Sequence, residues 1–117
     1  MSWWTFVDFA YVDSEESGST AAFDVARIRT EIEAIVSDEK LHSDVAKDIC
    51  DLLAGGRADF KLNSFAVIEL FSKLAFSFPR ISFAIRGRGE DIRDIWVREY
   101  SDGRNTFAFG PPEGVGI

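Results

Sequence analysis

Between Asn63 and Tyr100 the chain reads helix, strand, glycine-arginine turn, strand, and this run limits the folds open to it more than any other. NSFAVIELFSKLAFSFP carries Phe65, Val67, Ile68, Leu70, Phe71, Leu74, Ala75 and Phe78. That apolar surface is wider than one stripe and predicts a helix buried on more than one side. Asn63 or Ser64 would cap it and Pro79 would stop it. RISFAIRGRGED then alternates, with Ile81, Phe83 and Ile85 inward and Ser82, Ala84 and Arg86 outward. Gly87-Arg88-Gly89 is the expected turn. In the next strand, Asp94 to Tyr100, Ile95 and Val97 share one face while Trp96, Arg98 and Tyr100 share the other. Asp102-Gly103 signals a hairpin into a last strand, Asn105 to Phe109.

The preceding half supplies one strand and two helices. Trp3 to Val12 alternates, with Trp3, Val7, Phe9 and Tyr11 on one face and Trp4, Phe6, Ala10 and Val12 on the other. Both sets are apolar, which suits a strand covered on both sides. Asp8 interrupts it and calls for a paired or exposed carboxylate, because burying one unpaired is costly. After the acidic turn Asp13–Gly18, Ser19 or Thr20 is placed to cap a helix with Ala22, Val25, Ile28, Ile32 and Ile35 on its buried stripe. That helix should fail near Ser37 to Lys40. Ser43 would cap a second helix, with Val45, Ile49, Leu52 and Leu53 inward and Gly55-Gly56 at its end. Ala58 to Leu62 reads as a short strand or an extended link.

These elements fit one α+β domain over residues 1–110, a mostly antiparallel sheet of about four strands with helices on one face, followed by a flexible tail at 111–117. The chain has 117 residues and sixteen aromatics, enough for a sizeable core without staples. With Cys50 as its single cysteine, no disulfide can close within the chain, and a reducing compartment is expected. MSWWTFVDFA lacks a basic start and is interrupted by Asp8, so it does not read as a signal peptide. No apolar run approaches the ~20 residues of a membrane helix. A cytoplasmic protein with no membrane contact is the expectation.

The run from Phe65 to Gly103, with its helix ending SFP, its strand ISFAIRGRGED and the segment DIWVREYSDG, resembles the YubB-type ferredoxin-like domains of small plasmid- and phage-encoded proteins. The resemblance covers about a third of the chain and implies a ferredoxin-like variant in a mobile-element setting. It implies no catalytic residues, and the helices between Ala21 and Leu53 lie outside it.

Chemistry-bearing motifs are sparse. His42 and Cys50 cannot supply a usual zinc ligand set, and Cys50 falls where a packed thiol is expected. Neither a metal nor another cofactor is expected. Gly87 and Gly89 lack the third glycine and the Lys-Ser/Thr of phosphate loops. Glu90, Asp91 and Asp94 could hold a divalent ion, but Arg86, Arg88, Arg93 and Arg98 stand beside them to neutralise them.

The acidic balance is more informative. A net charge of −7 disfavours direct nucleic-acid binding and attracts basic partners. Asp44, Asp48 and Asp51 recur at i, i+4 and i+7, a row on one helix face that could be extended by Asp38 and Glu39. The plain alternative is a solvated face. Trp96 and Tyr100, with Glu90, Asp91 and Asp94, are secondary candidates for partner contact. The expectation is a non-catalytic acidic inhibitor of a basic nucleic-acid-handling protein, of the toxin-immunity or CRISPR-inhibitor type. Two other readings stand beside it: a homo-oligomeric module, and a small ligand- or metal-binding enzyme using the Arg86–Asp94 cluster.

Overall fold

The computed structural model describes residues 4–12 and 22–111. Trp3, the Asp13–Gly18 turn, the cap expected at Ser19 or Thr20, and all of the C-terminal tail but Pro111 lie outside the described residues. The element order is β1 (Thr5–Tyr11), α1 (Val25–Asp38), α2 (Asp44–Gly55), β2 (Arg57–Phe60), α3 (Ser64–Ser77), β3 (Phe83–Arg88), β4 (Ile95–Ser101) and β5 (Arg104–Phe109). The fold is α+β, as the sequence predicts, with five strands rather than four. The ambiguous run at Ala58 is a strand.

All strand pairs are antiparallel and the order across the sheet is β2-β1-β3-β4-β5. β2 and β3 both run antiparallel to β1, which lies between them, so they are parallel to each other and α3 is the crossover. This split βαβ unit is compatible with a ferredoxin-like fold. The α1–α2 pair connects β1 to its antiparallel neighbour β2, an edge strand of the sheet.

The helices cover one face only. Val7, Phe60, Phe83, Ile85, Trp96 and Tyr100 are buried against Ile32, Leu52, Val67, Leu70 and Phe71. Aromatic rings tie the layers: Phe83 stands 5.0 Å from Tyr100, 5.5 Å from Phe9 and 6.3 Å from Phe71, centroid to centroid. The expectation that β1 is covered on both sides is therefore corrected. Its even positions Trp4 and Phe6 are exposed, because every helix packs on the odd side.

Three local boundaries also differ from the sequence reading. α1 begins at Val25 with Asp24 as its cap, whose carboxylate accepts from the Arg27 amide at 3.3 Å. Phe23, just before that cap, is buried against Phe78 and Phe83 and fixes where the helix can start. At α2, Ser43 makes no side-chain cap bond; His42 Nδ1 accepts from the Asp44 amide at 3.1 Å instead. Gly87 and Arg88 belong to β3 rather than to the turn, which closes later, where the Gly89 amide donates to the Asp94 carbonyl at 2.8 Å. The Asp102-Gly103 hairpin forms as expected, both residues taking positive φ (54° and 78°) as a two-residue primed turn requires.

Candidate functional site

Two surfaces carry the charged and exposed aromatic side chains, one on the helix layer and one on the open face of the sheet.

On the helix layer, burial of Val45, Ala46, Ile49, Leu52 and Leu53 turns the other side of α2 outward. Asp44 and Asp51 are exposed and Asp48 is half-buried between them. Lys47 Nζ lies 3.1 Å from Asp51 and takes up part of the charge. Burial pushes the Asp48 carboxyl above its ordinary value, and repulsion from Asp51, Asp44 and Asp59 adds to the rise while Lys47 opposes it. The field around Asp48 therefore includes β2 as well as α2. Asp59 had no place in the sequence reading because its segment could not be fixed as a strand.

Asp38 and Glu39 lie at the C-terminal end of α1 rather than in this row. Glu39 pairs with Lys73 of α3, and Asp38 and Glu69 also raise the Lys73 pKa. Acids at a helix C-terminus oppose its dipole, so the Lys73 pair offsets an unfavourable placement.

The secondary candidates are dispersed. Asp91 is tied to Arg93, with the Arg93 amide at 2.8 Å and Nε at 3.2 Å, and its carboxyl is held below the usual range by those bonds. Asp94 turns under the sheet and accepts from Ser64 Oγ of α3 at 2.7 Å. Glu90 is exposed. Arg86 reaches Asp8 on the other side of the sheet at 2.9 Å. Strand alternation thus splits the Arg86–Asp94 cluster between two faces. Among the described residues no group of three His, Cys, Asp or Glu is arranged to hold a metal ion. Trp96 and Tyr100 are also corrected as partner contacts. They are 0% and 1% exposed, because their face of β4 is the helix side. The Tyr100 hydroxyl lies 3.2 Å from Ser72 Oγ, and burial raises its pKa. Cys50 is buried as expected, and burial raises its thiol pKa.

The open face of the sheet was not singled out by the sequence. Register sets its rows: Asp59, Phe6, Arg88 and Ile95; then Arg57, Asp8, Arg86, Val97 and Phe109; then Ala10, Ala84, Glu99 and Phe107. Asp8 sits between two guanidiniums, Arg57 at 3.0 Å and Arg86 at 2.9 Å, and Arg86 above all holds its carboxyl below the ordinary value. The Arg88 guanidinium lies 5.3 Å from the Phe6 ring centroid. Phe6, Asp8, Arg57, Arg86 and Ile95 line a shallow depression of about 510 Å³. The signal that could have found this face was the register of Phe6, Asp8, Arg86 and Arg88, which needs the β1–β3 pairing.

Compared with family models, with curated proteins and with solved structures, the chain matches none. No helix among the described residues is long and apolar enough to cross a membrane.

Proposed function

We propose that this chain is a non-catalytic binding protein that captures a basic protein partner through the acidic face of α2. The observation that carries the reading is the environment of Asp48. Its carboxyl is disfavoured first by burial and then by repulsion from Asp51, Asp44 and Asp59, with Lys47 opposing, so the ionised Asp48 is held against local repulsion. A cationic side chain from a partner would relieve that repulsion. Electrostatic complementarity of this kind speeds encounter and fixes orientation. The partner class is a basic nucleic-acid-handling protein, a toxin nuclease or a CRISPR effector. The resemblance of Phe65–Gly103 to YubB-type domains supports a mobile-element setting and a cytoplasmic site of action.

Capture from the host lysate, with the chain as bait and bound proteins identified by mass spectrometry, tests the reading. A basic protein recovered in near-equal amount should be weakened by salt. It should be lost on the Asp44→Asn, Asp48→Asn, Asp51→Asn triple substitution with the circular dichroism spectrum unchanged. Binding that survives the triple substitution sinks the reading.

A further inference from the structure

We propose that the open face of the sheet is a self-association surface, on which two copies of this chain stack sheet to sheet. The face holds Phe6, Ile95, Phe107 and Phe109 at 38%, 47%, 48% and 60% exposure, and no described segment of the chain lies over them. These four side chains come from β1, β4 and β5, with Arg86 and Arg88 of β3 between Phe6 and the other three. Trp4, just before β1, is exposed on the same side as Phe6, whereas Phe65, Phe76 and Ile92 belong to α3 and the β3–β4 turn.

Charge placement argues for a second copy as the occupant. On this face Arg57, Arg86, Arg88 and Arg104 stand against Asp8, Asp59 and Glu99, so both signs are present in near balance on a chain of net charge −7. The excess negative charge lies elsewhere. A two-fold interface sets one patch against itself, so the patch must be self-complementary. Among the described residues Arg88, Asp59 and Glu99 have no ion-pair partner in their own chain, which leaves both signs for the opposite copy. A phosphate backbone fits less well, because Asp8 already occupies Arg57 and Arg86 and two further acids share the face.

Stacking also moves the repelling surfaces apart. Sheets pack about 10 Å from one another and each carries a helix layer about 10 Å thick. The acidic faces of the two α2 helices would then be roughly 30 Å or more apart, nearly four Debye lengths at physiological salt. Five strands at ~4.8 Å and six residues at ~3.3 Å give a footprint of about 24 by 20 Å. Side-chain relief enlarges this, and a stacked pair reaches the ~1,000 Å² total expected of a specific interface.

Sedimentation equilibrium of the full chain at about 0.1 mM, where a micromolar dimer is nearly complete, is the test. The expected mass is twice the 13.1 kDa of one chain. Phe109→Glu should yield monomer with the circular dichroism spectrum intact. The milder Phe107→Ser, at a side chain whose loss the fold can absorb, should raise the dimer Kd about tenfold. The D44N/D48N/D51N triple variant should dimerise like the parent, which separates this result from the fate of the acidic-face reading. A monomeric parent chain, or a dimer unchanged by both phenylalanine substitutions, overturns the proposal.

Discussion

Trp96 and Gly87 are directly paired across β3 and β4, and the indole fills the space a side chain at Gly87 would need. A Cβ placed on Gly87 would stand 1.9 Å from Trp96 Cζ2. Trp96 is fully buried in a packed layer and cannot move aside without displacing its neighbours. Gly87→Ala should therefore destabilise the fold by about 2–3 kcal/mol, through overpacking rather than backbone strain. Urea unfolding followed by far-ultraviolet circular dichroism checks this. A loss no larger than that of an exposed-strand glycine substitution would show that the sheet absorbs the methyl group.

Asp8, held between Arg57 and Arg86, has a lowered pKa, and that fixes the sign of its pH dependence. Its ionised form is favoured in the folded state, so its contribution is present above the unfolded value near 3.9 and disappears as pH falls through the folded value. The carboxylate is 38% exposed, and solvent screening reduces what the two pairs are worth. Asp8→Asn should cost about 1 kcal/mol or less at pH 7, and the difference should shrink as pH falls below the unfolded carboxylate value and vanish below the lowered folded one. Paired unfolding curves across that range read it directly. A deficit that persists at the acid end would assign the effect to packing instead.

How far the sequence reaches is visible in β4 and β1. The alternation in IWVREY sorted its residues correctly into two faces, but nothing in it said which face met the helices. From sequence the larger aromatics Trp96 and Tyr100 suggest partner contacts, whereas they are core. In β1, apolar residues at both parities suggested cover on both sides, whereas the cover on the even side is absent from the described chain. The helices α2 and α3 and the 102–103 hairpin were legible because their signals are local: period, caps and turn residues. The Asp8–Arg57–Arg86 triad and the contribution of Asp59 were not, because each needs a strand register between residues far apart in sequence.

Asp48 presents the opposite sign to Asp8. Its pKa is raised, so the folded state holds the ionised group less comfortably than the unfolded chain does. The penalty is absent below the unfolded carboxylate value and is fully present above the raised folded one. Asp48→Asn should therefore stabilise the protein at neutral pH by a few tenths of a kcal/mol, an amount that shrinks with added salt. The same substitution should weaken capture of a basic partner. Thermal unfolding and a binding assay on one variant test both halves. A variant that gains no stability would remove the argument that the row is maintained against the interest of the fold.

Ser64 and Asp94 join α3 to the end of β4 through one buried hydrogen bond, Oγ to Oδ2 at 2.7 Å. The other carboxylate oxygen, Oδ1, is buried without a partner, so Ser64 supplies the side-chain bond this group has. The carboxylate lies against Gly89, where an added Cβ would stand 1.9 Å from Oδ2. Ser64→Ala should then leave a buried carboxylate unpaired and cost about 2–3 kcal/mol, more than a surface hydroxyl deletion. Adding Asp94→Asn should return about 1 kcal/mol of the loss, because removing the charge lowers the desolvation penalty even though the hydrogen bond is not restored. A double-mutant cycle by urea unfolding separates the two effects. If the two substitutions prove additive, the Ser64 hydroxyl and the Asp94 carboxylate act independently and the bond contributes nothing of its own.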